Sequence, residues 1–229
     1  NLQRWKLKDS LLKSGAEDIR SFTNYQKKMG NIPLKSAGEY EVITAIEEIE
    51  SIKASFDEER NELQSVTEHI EIEIDNIKVT AAINYIFGRK VLIPCLSKNE
   101  NKYYLQAWLT ALILAIAKKD YTIVFIGEKT KRANKIHYDD AFSRLRQLIR
   151  LLKEARRQIF PFSIQWFPFE KQPDEKQFEL KLEREAERDN YLALAVREGL
   201  PGNSLQLYEK IAKPVVSSII ETFKVDGEE

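Results

Sequence analysis

The stretch HIEIEIDNIKVTAAINYIF, residues 69–87, narrows the fold more than any other part of the chain. Ile70, Ile72 and Ile74 alternate with Glu71, Glu73 and Asp75, the period-two pattern of a half-buried strand. Asp75-Asn76 suits a hairpin turn, so IKVTAAINYIF is expected as the second strand of an antiparallel pair. Gly88 then makes a turn, and Lys90 to Leu96 is expected as a third strand, apolar enough to be central. Pro94 has no N–H for a ladder, so an edge or a bulge is expected at that point.

Helical periods surround this sheet. Trp5, Leu7, Leu11 and Leu12 form one stripe, and after a break at Ser14-Gly15 a second runs through Ile19, Phe22 and Tyr25. Gly30, Pro33 and Gly38 punctuate KMGNIPLKSAGEYE as a loop. From Glu41 to about Leu63 a helix resumes, with Val42, Ile46, Ile49, Ile52 and Phe56 on one face and a solvated acidic face opposite. Tyr103 to Lys119 is a helix apolar on most sides and packed on the sheet, and Tyr121 to Ile126 is a short buried strand. Asp139 or Asp140 caps a helix from Ala141 to about Arg157. A charged helix is expected from Gln177 to Glu198, and a last amphipathic one ends near Phe223. The expected class is α/β, a central mixed sheet flanked by helices, with a helical segment over 1–66 and the α/β domain with C-terminal helices over 67–229.

Composition excludes more than it selects. With 43% apolar and 31% charged residues the chain is a folded globular one, and 229 residues suffice for a sizeable core. The 36 basic and 36 acidic side chains cancel, so only local charge bears on a polyanionic partner. The single cysteine, Cys95, permits no internal disulfide and suits a reducing interior; without a neighbouring histidine it is expected to be structural. His69 and His137 are too far apart for a zinc pattern. The apolar run Leu105 to Ala117 is shorter than the roughly 20 residues that cross a bilayer. A start at Asn1 without a signal peptide suggests a piece of a longer polypeptide. No glycine-rich phosphate loop occurs, and no cofactor is expected.

Four segments carry a likeness by their order and spacing. They are RWKLKDSLL; KMGNIP with AGEYE; YYLQAWLTALILAIA with its Trp108-Leu109 pair; and LRQLIRLLKEARRQIFPF with Pro161-Phe162. Together, from Arg4 to about Phe169, they resemble the C-terminal region of the RecC family, the gamma chain of exodeoxyribonuclease V. The resemblance implies a fold like the PD-(D/E)XK nucleases that has lost its active site. In such a nuclease one strand ends in an Asp and the next carries an acid, a spacer and a Lys, and the carboxylates hold a hard divalent ion that activates water. On that implied correspondence the first acid falls at Asn84 and the second near Pro94 or Cys95, with Lys98 as the survivor. A neutral amide and an imino acid cannot gather Mg²⁺ from water. An alternative is that Asn84 and Pro94 never matched those positions and belong to ordinary strands; hydrolysis is unexpected on either view. The family further implies RecB-type and RecD-type subunits as partners, and double-strand DNA ends and separated single strands as substrates of the assembly.

Other groups admit more than one use. Glu71, Glu73 and Asp75 fit a wetted strand face, or, with Lys98, a divergent metal-dependent nuclease. Between Lys129 and Arg157 ten cations face three acids, a local excess of seven positive charges in a neutral chain. Lys129, Lys131, Arg132 and Lys135 precede the helix; Arg146, Arg150, Lys153 and Arg157 follow i, i+4, i+7, i+11 along it, with Leu145, Leu148, Ile149 and Leu152 toward the other side. Three uses fit that stripe: DNA phosphates, an acidic partner surface, or pairing with solvent and the chain's own acids. Phe160, Phe162, Trp166, Phe167 and Phe169 suit a core, a subunit interface, or stacking with a single strand. The remaining reading is an interaction module outside DNA metabolism.

Overall fold

A computed structural model describes residues 2–14, 18–97, 100–155, 175–188, 193–194 and 204–224. The hairpin forms where the alternation places it. Strand β1 (Val66–Ile74) runs antiparallel to β2 (Ile77–Phe87), and Asp75 and Asn76 take φ of 50° and 62°. Two successive left-handed residues are what a two-residue hairpin turn needs to match strand twist. Ile70, Ile72 and Ile74 are buried, and Glu71 and Glu73 face solvent.

Gly88, at φ 58°, turns the chain into β3 (Lys90–Pro94). Helix α4 (Glu100–Ile116) then crosses to β4 (Thr122–Ile126), which lies parallel to β3, and β5 (Thr130–Arg132) returns antiparallel. The result is a five-stranded mixed sheet in the order β1-β2-β3-β4-β5. Consecutive residues of β3 and β4 are buried, as a strand covered on both faces requires. Helices α3 (Lys35–Arg60) and α4 lie against these strands: Phe56 meets Tyr85 and Phe87 edge-on, and Tyr104 stacks on Phe125. The fold is therefore α/β with helices flanking the sheet.

β3 is the third of five strands, and the edge expected at Pro94 is local to its β2 side. The Cys95 N–H donates to the Ile126 carbonyl at 2.8 Å, so Pro94, one residue earlier, turns its nitrogen toward β2. There the β2–β3 ladder has already ended at the Ile86–Val91 pair. The bulge lies in β2 instead. An advance of three residues, Ile86 to Ile83, faces two on β1, and Tyr85 takes φ 57°. A bulge re-aims the side chain it carries, and Tyr85 reaches helix α1 (Leu2–Ser14).

Helix α2 (Ile19–Lys28) is capped by Asp18, whose Oδ1 accepts from the Arg20 and Ser21 amides at 3.0 and 3.1 Å. The bonds from Ser21 lead in holding that carboxyl below the usual aspartate range. Helix α3 begins six residues before the expected Glu41, and Gly38 lies inside it and not in a loop. A side chain at Gly38 would stand 2.0 Å from the Pro33 carbonyl oxygen, so that glycine serves a close approach. Helix α5 (Tyr138–Ala155) starts earlier than expected, which puts Asp139 and Asp140 in its first turn, beside the helix dipole, instead of at the cap. Of the leucines placed opposite the cations, Leu145 is buried, whereas Leu152 is 67% exposed. Strand β5 was hidden within the basic run, since a three-residue edge leaves almost no period to detect. Helix α6 spans Glu175–Ala186, shorter than the charged helix expected there, and α7 is Ser204–Phe223.

One continuous core joins Leu7, Leu11 and Leu12 of α1 to the sheet strands, to α4, and to Val215 and Ile219 of α7. Among the described residues no helix is long and apolar enough to cross a membrane.

Candidate functional site

Two hollows and one charged tract hold most of the chemistry the sequence singled out. The first hollow, about 150 Å³, opens where β2 and β3 part after their short ladder. Asn84 and Pro94 both line it, so the structure brings these two positions together. Asn84 Oδ1 accepts from Thr67 Oγ1 at 3.0 Å. Cys95, next in the chain, is buried, and its Sγ lies 3.0 Å from the Ser97 carbonyl; burial pushes the thiol up to about 11, away from a reactive thiolate. Lys98, Arg157, Trp166, Phe167 and Phe169 lie outside the described residues.

Sequence reading missed the carboxylate in this cleft. Asp9 of α1 lines it, 76 positions from its partner Tyr85, whose hydroxyl donates to Asp9 Oδ1. Asp9 Oδ2 also accepts from Lys13 Nζ at 2.7 Å, and that ammonium sits 5.5 Å from the Tyr85 ring centre. Burial first, and then the Asp9 hydrogen bond, push the Tyr85 phenol well above the usual tyrosine range. Only the tertiary fold joins these groups; a local signal was available at most in the i, i+4 spacing of Asp9 and Lys13. Among the described residues the cleft's lining therefore offers one carboxylate, already doubly bonded, with the Asn84 and Gln106 amides and Pro94 beside it. No cluster of three His, Cys, Asp or Glu side chains able to hold a metal occurs among the described residues. Glu71 pairs with Lys78 at 2.7 Å, and Asp75 with Arg146 at 2.6 Å, on the outer side of the hairpin.

The basic tract divides once its partners are visible. Arg132 pairs with Glu59 of α3, which also receives Lys90 at 2.8 Å. Lys131 Nζ lies 5.7 Å from the Tyr104 ring centre, and Arg146 reaches the hairpin turn at Asp75. Lys129, Lys135, Arg150 and Lys153 are exposed and make no ion pair among the described residues. The stripe thus splits into cations that brace the fold and cations that face water.

The second hollow, about 590 Å³, runs between α5 and α7. Trp108 of α4 forms its floor, and its Nε1 donates to Ser218 Oγ at 2.9 Å. Leu148 and Leu151 make one wall, Ile211 and Pro214 the other, and Arg150 and Lys210 stand at the rim. Arg144 bonds Ser218 Oγ and lies 3.4 Å from Glu221. The sequence signal for this groove was indirect: a proline inside α7.

Comparison with protein families finds a match over residues 1–166 to the family described as the RecC C-terminal domain. Comparison with curated proteins finds no match.

Proposed function

The chain belongs to the RecC C-terminal domain family, and from that premise we propose that it is a noncatalytic, nuclease-like module of a RecC-type subunit of exodeoxyribonuclease V. In this reading residues 1–66 form a helical segment and 67–229 the nuclease-like domain. It scaffolds RecB-type and RecD-type subunits in the bacterial cytoplasm and guides DNA during double-strand end processing and recombinational repair. ATP hydrolysis and strand cleavage belong to the partners.

The observation that carries the noncatalytic part is the chemistry of the strand-end cleft. A divalent ion competes for its site against full hydration and needs ionised oxygens to win. Here Asn84 offers a neutral side-chain carbonyl, Pro94 offers no side-chain oxygen, and the Asp9 carboxylate is held by Lys13 and Tyr85. Water activation through such a set has no support from its residues. Strand guidance rests on Lys129 and Lys135, exposed and without ion pairs among the described residues. Such side chains bind phosphate without reading sequence.

Two measurements test the proposal. The purified chain, given Mg²⁺ or Mn²⁺ and linear duplex DNA, is expected to leave the DNA intact; cleavage abolished by Asp9→Ala would defeat the noncatalytic reading. Charge reversal at Lys129 and Lys135 is expected to weaken forked-DNA binding and flatten its dependence on salt by about two phosphate contacts. An unchanged salt slope removes these residues from any DNA path.

A further inference from the structure

Resting on the reading that this domain docks partner subunits, we infer that the α5–α7 groove receives an acidic amphipathic segment of a partner protein. The apolar side of that segment packs on Leu148, Leu151, Ile211 and Pro214, and its carboxylates meet Arg150 and Lys210.

The charges point to an anionic occupant. Of the ionisable groups lining the groove, Arg144 and Glu221 lie 3.4 Å apart and offset one another. Arg150 and Lys210 are exposed and make no ion pair among the described residues. Lys153 and Lys213, about one turn further along each helix, are also exposed.

The apolar surface decides what kind of anion fits. Leu148 and Leu151 line the wall and are partly buried, and Leu152 beside them is 67% exposed. A phosphate backbone would satisfy the cations and leave those leucines in water, since protein–nucleic acid interfaces are more polar and more strongly basic than this one. An amphipathic helix satisfies both, as helix-in-groove recognition does with apolar anchors along one face. Pro214 adds a directional feature. It has no N–H for the Lys210 carbonyl four residues earlier, so an acceptor on the groove wall lacks its ordinary helical donor.

The test uses the full chain and a fluorescein-labelled helical peptide with Leu at i, i+3, i+4 and i+7 and Glu elsewhere. A twin with Lys in place of Glu serves as the control, and both are read by anisotropy. The acidic peptide is expected to bind about tenfold or more tightly than its twin. Arg150→Glu with Lys210→Glu should invert that preference, and Leu151→Glu should weaken both peptides about tenfold. The two charge positions are exposed, so their reversal is compatible with folding, which circular dichroism checks. Equal binding of the twins, or indifference to all three substitutions, overturns the inference. So does competitive displacement of the acidic peptide by duplex DNA, which gives the groove to nucleic acid, or a dimer dissolved by the charge reversals, which gives it to a second copy. Co-expression with the two partner subunits separates the levels. Normal assembly of the charge-reversed chain discards the groove and keeps the docking role, whereas failure of the unaltered chain to assemble discards both.

Discussion

The cleft beneath α1 and the groove between α5 and α7 are both lined by ionisable side chains, and they use them in opposite ways. In the cleft, Asp9 is held by Lys13 and Tyr85, and Asn84 by Thr67. In the groove, Arg144 is engaged by Ser218 and Glu221, while Arg150 and Lys210 face water. A polar group bonded within its own chain contributes to the fold, and binding a ligand there must first break that bond. A cation left in water has no such bond to break and gives up only hydration and side-chain freedom on association. The contrast teaches that lining a cleft between strands and being available for chemistry are separate properties.

The largest expected effect sharpens the groove side of this contrast. Trp108 is 1% exposed and supports both the groove floor and the α4–α7 contact through Ser218. Trp108→Ala should destabilise the chain by about 3–5 kcal/mol in urea unfolding. A loss below about 1 kcal/mol would mean that the floor is not packed as described.

A smaller effect separates structural from functional polarity in the cleft. Asp9→Ala leaves the Tyr85 hydroxyl half-buried without its acceptor, at a cost of about 1–3 kcal/mol. Tyr85→Phe should cost less, and the double substitution should cost less than the sum. Strict additivity in that cycle breaks the claim that the pair acts as a unit.

Alkaline pH gives an independent view of the same bond. The Tyr85 phenol is held above its ordinary value of 10.0 by burial and by Asp9. The unfolded chain therefore ionises first, so the stabilisation is complete below about pH 10 and fades as pH rises beyond that. Chemical denaturation at pH 9 and pH 11 should show a larger fall for the unaltered chain than for Tyr85→Phe. Equal falls would detach Tyr85 from the alkaline loss.

The smallest effect concerns the cations already paired. Arg146 and Asp75 are 44% and 38% exposed at 2.6 Å, so Arg146→Ala should change stability by no more than about 1 kcal/mol. Forked-DNA affinity should respond less to it than to Lys129→Glu. A larger response at Arg146 would place that side chain among the DNA contacts despite its ion pair.

Local pattern made much of the scaffold legible. The isoleucine alternation, Asp75-Asn76 and Gly88 defined the hairpin and the entry to β3, because strand period and turn chemistry act between near neighbours. Strand β5 escaped notice for want of length, and the start of α3 was misplaced because Gly38 reads as a loop residue until the Pro33 carbonyl is seen beside it. Of the site, the sequence offered Asn84 and Pro94 through a family likeness, and a basic stripe through its spacing. It could not say which cations were spent, because Arg132 and Arg146 find their acids 73 and 71 residues away.

What the sequence determined by itself was the repertoire: which segments form strands or helices, the surplus of positive charge after Lys129, and an amide and a proline at Asn84 and Pro94. What the tertiary structure decided was partnership. It set Asp9 against Tyr85, tied Arg146 to a hairpin turn, and left Arg150 and Lys210 facing an apolar groove. The physical reason is range: backbone preference is set by adjacent residues, whereas an ion pair or a groove wall exists only after distant segments have been brought within a few ångströms.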